Sequence, residues 1–164
     1  MKRTLPLMLA LLLSACSPKY DWRDYRSNDA PYAVLFPGKP ATQTRSIKLD
    51  QLDVSMTMSA ADVDGVIFAV GSAQLADAAR APAAVAAMKT AMVNNIGATI
   101  TSSKTLDNGA LEVDASGTAN GQPMRLIGRF LAKEKRIYQV VVIGPARRIE
   151  ADSVETFLTS FKQN

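Results

Sequence analysis

Apolar residues fall along this chain in three regimes: a nearly continuous run from Leu5 to Ala15, a polar stretch from Ser17 to Pro31, and periodic segments from Tyr32 onward. The periodic part opens with "YAVLFPGKP", a short strand closed by Pro37-Gly38-Lys39-Pro40, where prolines and a glycine enforce a turn and forbid further ladder pairing. "TRSIKLD", "LDVSMTMSAA" and "GVIFAVGSAQL" predict extended segments joined near Asp50-Gln51 and at Asp62-Val63-Asp64-Gly65. In the second, Leu52, Val54, Met56 and Met58 share one face while Asp53, Ser55, Thr57 and Ser59 share the other. Val66 to Val70 is nearly all apolar and belongs near the middle of a sheet. Helical spacing follows in "RAPAAVAAMKTAMVNNIGA": Val85, Met88, Met92 and Ile96 form a stripe, Pro82 suits the first turn and Gly97 the C-terminal cap. Strands then return as "TITSSKTL", "ALEVDASGT", "PMRLIGRFLA" and "IYQVVVIG", separated by turns that include Asn108-Gly109 and Asn120-Gly121, strong hairpin signals. The last segment carries Val154, Phe157, Leu158 and Phe161 on one helical face, with Asp152 and Glu155 spaced as a capping box. The pattern predicts an α+β domain over 32–164: a central antiparallel sheet with two packed helices.

The opening run is about eleven residues long, whereas a helix needs roughly twenty to cross a bilayer. Lys2 and Arg3 precede it and small residues end it, the layout of a secretory signal. Leu13-Ser14-Ala15-Cys16 at its exit resembles the lipobox of bacterial lipoproteins. That resemblance implies cleavage between Ala15 and Cys16, a diacylglyceryl group on the Cys16 thiol and acylation of its amine. A plain secretory signal with an incidental cysteine is the competing reading. Against it, Cys16 is the only cysteine, so an exported free thiol would have no disulfide partner. Residues 1–15 are then the signal peptide, 16–31 a lipidated N-terminus and tether, and 32–164 a periplasmic domain.

Composition narrows the chemistry. Removing Lys2 and Arg3 lowers the formal charge from +4 to +2, which gives no argument for nucleic acid. The chain has no histidine, which removes the usual zinc sites, Ser-His-Asp and Cys-His catalysis, and haem ligation through histidine. No metal and no cofactor are expected. Gly38-Lys39 lacks the glycine and the hydroxyl residue that a phosphate loop requires, since Ala33 and Pro40 stand there. Asp62 and Asp64 flank a turn glycine and read as turn formers rather than cation ligands.

Several residues remain as candidates. Tyr20, Trp22, Arg23, Tyr25 and Arg26 place aromatic and charged groups side by side just after the lipidation site, as a recognition segment or as interfacial anchors. The alternative is that Trp22 and one tyrosine pack on the domain as an N-terminal arm. Glu112 and Asp114, with Arg125 and Arg129 on a neighbouring strand, could serve general acid-base chemistry, although cross-strand pairing explains them without it. Met88 and Met92 could line a gap between sheet and helix and carry an apolar ligand.

Phe36-Pro37-Gly38-x-Pro40 near the start, and Tyr138 and Ser160-Phe161 near the end, resemble the PsbP-like fold group and, within it, the DcrB-type bacterial lipoproteins. The resemblance covers roughly residues 32–162. It implies an α/β sandwich with helices on a central antiparallel sheet, no enzymatic activity, and an accessory or binding role at a membrane. The expectation is a non-catalytic envelope lipoprotein with an envelope protein as partner. Ser17, rather than aspartate, follows the lipidated cysteine and favours the periplasmic face of the outer membrane over the inner membrane. A carrier of an apolar ligand and a carboxylate-dependent enzyme are the alternatives.

Overall fold

A computed structural model of the chain describes residues 17–164. Ala15 and Cys16, the expected cleavage and lipidation positions, lie outside the described residues. Among the described residues ten strands form: β1 (Arg23–Arg26), β2 (Tyr32–Phe36), β3 (Ala41–Leu49), β4 (Leu52–Val63), β5 (Val66–Gln74), β6 (Ala98–Thr105), β7 (Leu111–Ala119), β8 (Gln122–Lys133), β9 (Arg136–Pro145) and β10 (Lys162–Gln163). Two α-helices accompany them, α1 (Ala81–Asn95) after β5 and α2 (Ala151–Ser160) after β9.

Hairpin chemistry builds the main sheet. Asp50-Gln51, Asp64-Gly65 and Asn120-Gly121 all have both central residues at positive φ, the geometry of a two-residue turn whose twist matches that of its strands. The resulting seven-stranded antiparallel sheet runs β3-β4-β5-β9-β8-β7-β6, so the apolar β5 and β9 lie at its middle. Phe68, Val70, Val140 and Val142 point to one face, Ala69, Ala73, Ile137 and Val141 to the other, and all are buried. Alternate residues of a strand face opposite sides, so both faces of the sheet centre must be covered.

Each face has its own cover. Helix α1 closes one, with Ala81, Ala84, Met88 and Val93 packed on Ala69, Val113, Leu126 and Val141. Its alanines allow close approach, and Pro82 and Gly97 (φ 59°) stand at its ends as expected. The other face is covered by α2 together with a second sheet of order β1-β2-β10, through Tyr32, Val34, Phe36, Val154, Phe157 and Leu158. This division explains why the simple alternation of β4 fails along its length. Val54 and Met56 face α1, whereas beyond Ser59 it is Ala61 and Val63, on the opposite side, that are buried under the small sheet.

The α+β architecture with a central antiparallel sheet and two packed helices agrees with the sequence pattern. Two details differ. The domain begins earlier than Tyr32: β1 pairs with β2 from Arg23↔Phe36 to Arg26↔Ala33, and the Asp21 N–H donates to the Pro37 carbonyl at 3.1 Å. The stretch 17–31 is therefore mostly part of the fold rather than a tether. The expected capping box also fails to form, because α2 starts at Ala151 and puts Asp152 inside its first turn, with Glu150 as an N-cap that makes no side-chain bond.

Candidate functional site

The N-terminal arm is the first region to weigh. Its aromatic side chains turn inward. Tyr20 and Trp22 stack at a centroid distance of 5.7 Å, and both meet Phe68 edge-on, at 6.5 and 6.3 Å. Phe68 is fully buried, so the two rings form a lid over the core. Tyr25 packs on Phe36 and Tyr32, and its hydroxyl shares hydrogen bonds with Ser59 Oγ (3.0 Å) and Thr42 Oγ1 (3.3 Å). That bond ties the small sheet to the β3–β4 edge of the large one. Burial beneath this arm also pushes the Tyr32 hydroxyl pKa up to about 12.

The charged residues of the arm turn outward. Arg23 donates through Nε and Nη2 to Asp21 Oδ2, and the pair is exposed. Arg26 is exposed and, with Asp24, lines a shallow cleft beside Thr156, Thr159 and Lys162. Lys19 Nζ pairs with Glu150, a hydrogen bond that raises the lysine pKa and lowers that of the carboxyl. Of the five residues singled out in the sequence, Tyr20, Trp22 and Tyr25 are thus packing groups. Arg23 and Arg26 are available to a partner.

The second candidate is the carboxylate pair. Glu112 lies opposite Arg129 in the β7–β8 register and accepts from its Nε at 2.8 Å, while Lys104 approaches the other oxygen at 3.1 Å. Arg125 grips Asp114 with two bonds, of 3.0 and 2.6 Å. Arg129 also donates to the Leu158 carbonyl at 3.1 Å, satisfying an acceptor in the last turn of α2. Partial burial acts to raise the Glu112 pKa, but Arg129 and Lys104 outweigh it and hold the carboxyl below its ordinary value. A general acid needs the opposite shift. The arrangement is a cross-strand ionic ladder that also holds the end of a helix.

Asp62 accepts the Gly65 N–H at 2.8 Å, as a turn former does. Among the described residues no group of three or more acidic, thiol or imidazole side chains could hold a metal ion. The methionines of α1 separate. Met88 is 2 % exposed and packed in the core. Met92 instead lines a cleft of about 290 Å³ with Gln43, Arg45, Ile47, Met56, Met58 and Gln139. Sequence spacing pointed to the α1 stripe; it carried no signal for Met58 and Gln139, which reach the cleft from distant strands.

No family model matches the chain, and no curated protein matches its sequence. A crystal structure of a protein from Bacteroides thetaiotaomicron VPI-5482 is similar over 86% of this chain and 48% of its own, with 10% identity and a TM-score of 0.48. The chain spans about half the length of that protein. A Pseudomonas aeruginosa protein of unknown function, PA94, is similar over 77% of this chain and 84% of its own, with 13% identity and a TM-score of 0.35.

Proposed function

We propose that this chain is a non-catalytic lipoprotein of the bacterial envelope, anchored through lipid on Cys16 and acting as a binding or accessory module that faces the periplasm. The observation that carries this reading is Leu13-Ser14-Ala15-Cys16 at the end of a short apolar run that follows Lys2 and Arg3. Two or three acyl chains, each contributing about 0.8 kcal/mol per buried methylene, give durable attachment where one would not. On this reading Ser17 favours the outer membrane, and the PsbP-like pattern from Phe36 to Phe161 fits an accessory domain. Because Lys19 already pairs with Glu150, the domain would stand against the bilayer surface rather than at the end of a long tether.

The absence of catalysis is supported by the carboxylates: Glu112 and Asp114 are each held by an arginine, which leaves neither as a free base or acid. The partner is an envelope protein that meets the exposed Arg23 and Arg26 beside the lipid. Crosslinking in intact cells, followed by identification of captured proteins, tests this reading. Arg23→Ala with Arg26→Ala should abolish capture of a specific envelope protein at unchanged thermal midpoint, and Cys16→Ala should release the chain from the membrane fraction. Undiminished capture by the arginine variant would contradict the assigned surface. The alternative of an apolar-ligand carrier loses Met88, which is enclosed in the core, and retains only the small cleft at Met92.

A further inference from the structure

Across the large sheet, Gln43, Met58, Gly71 and Gln139 stand directly opposite one another on β3, β4, β5 and β9. Cross-strand partners share a face, and this row faces α1, which supplies Met92. Gln139 is a polar side chain only 4% exposed. Its Nε2 has two partners, both sulfur: Met58 Sδ at 3.4 Å and Met92 Sδ at 3.5 Å. Thioethers are weak acceptors, so as a hydrogen-bonding arrangement this is poor. As a set of donor atoms it is coherent. Met56, a third methionine, also lines the cleft, and the Gln139 amide presents either nitrogen or oxygen there by turning over, since the two are interchangeable in shape.

Glycine at 71 makes the convergence possible. A Cβ there would stand 2.5 Å from Met58 Sδ and 2.8 Å from Gln139 Cγ. Any larger residue would drive those two side chains out of the cleft.

Soft sulfur ligands select soft cations, and Cu(I) is the first-row ion that thioethers suit. Among the described residues no carboxylate, thiol or imidazole lines the cleft, so a hard divalent ion finds no charged oxygen ligand there. Arg45 lies at its exposed side, and its charge disfavours a divalent ion more than a monovalent one. The lack of histidine that removes the usual zinc sites does not bear on a thioether site. We propose that Met56, Met58 and Met92 bind one soft monovalent cation, Cu(I) or its surrogate Ag(I), with Gln139 as the fourth, oxygen-bearing group. The site is independent of the lipid anchor and of the envelope partner.

The test uses the full chain in detergent, carrying Cys16→Ala so that no thiol competes. Ag(I), and anaerobically Cu(I) against a chromogenic Cu(I) chelator, are titrated in. One ion per chain is expected, with a raised thermal midpoint, and Met58→Leu with Met92→Leu should weaken binding at least tenfold. Met88→Leu and Met124→Leu, outside the cleft, should leave it unchanged. Methyl resonances of methionine, followed in the otherwise unaltered chain, should show those of Met56, Met58 and Met92 shifting with Ag(I), which removes any dependence on how a variant folds. Absence of binding, equal loss in the control variants, or shifts confined to other methionines would overturn the proposal. Failure of the lipid anchor or of partner capture would leave these readouts untouched.

Discussion

Replacing Trp22 with alanine should destabilise the domain, because its ring is half of the two-residue lid over Phe68. Full removal of a buried large aromatic costs roughly 3–5 kcal/mol. Trp22 is only partly buried, and Tyr20 remains to cover part of Phe68, so a loss of about 2 kcal/mol is expected. For a domain of this size each kilocalorie moves the melting midpoint by about 2–4 °C, which predicts a fall of roughly 4–8 °C. Arg23→Ala is the matched control: its ionic partner, Asp21, is exposed with it, and such pairs contribute about 0–1 kcal/mol. Thermal unfolding followed by far-ultraviolet circular dichroism, backed by urea titration, measures both variants. Trp22 is also the only tryptophan, so its fluorescence in the unaltered protein should shift to longer wavelength in the same transition. An unchanged midpoint for Trp22→Ala, or a tryptophan signal that moves well before the circular dichroism, would refute the claim that the arm belongs to the fold.

Other consequences are equally direct. Gly71→Ala should lose about 1–3 kcal/mol through overpacking, read by urea titration, because its Cβ has no room beside Met58 and Gln139. Arg129→Ala should cost about 1–3 kcal/mol, since it leaves Glu112 with Lys104 alone and a carbonyl of α2 without its donor; the same titration checks it. Tyr32 titrates near 12 in the folded protein against 10 when free. Its raised pKa means that its contribution is intact below about pH 10 and is lost as pH rises toward 12, so the alkaline fall in stability should be shallower in Tyr32→Phe. Glu112 has the opposite sign. Its lowered pKa contributes stability above the ordinary carboxylate value of 4.5, lost on acidification below it, and Glu112→Gln should flatten the acid limb of stability against pH.

What was legible in the sequence was local. Asp64-Gly65 and Asn120-Gly121 announce their hairpins because few residues tolerate positive φ, and Pro82 and Gly97 bracket α1 for reasons confined to their own backbone. Asp50-Gln51 was found from the change of pattern around it, since Gln51 at φ 67° is not a residue that turn chemistry would nominate. What escaped was non-local. In "RDYR" only Tyr25 faces the core, too little to show a period, and the strand exists because β2 pairs with it and offers Tyr32 and Phe36 to Tyr25. The same lack of period left Trp22 open between an exposed recognition group and an arm packed on the domain, and the packed arm is what forms. The sulfur cleft was hidden for a related reason: Met58, Met92 and Gln139 stand 81 and 47 positions apart along the chain and meet only once β4, α1 and β9 are in place. The Glu112–Arg129 ladder was anticipated from alternation, but its bond to α2 was not.

Attachment through lipid at Cys16 is decided by the intact mass of the protein isolated from a bacterial envelope. Lipid attachment requires a chain that begins at Cys16 and carries the mass of a diacylglyceryl group with or without an amide-linked acyl chain, lost altogether in Cys16→Ala. A mature chain that begins elsewhere, or begins at Cys16 with a free thiol, would contradict it.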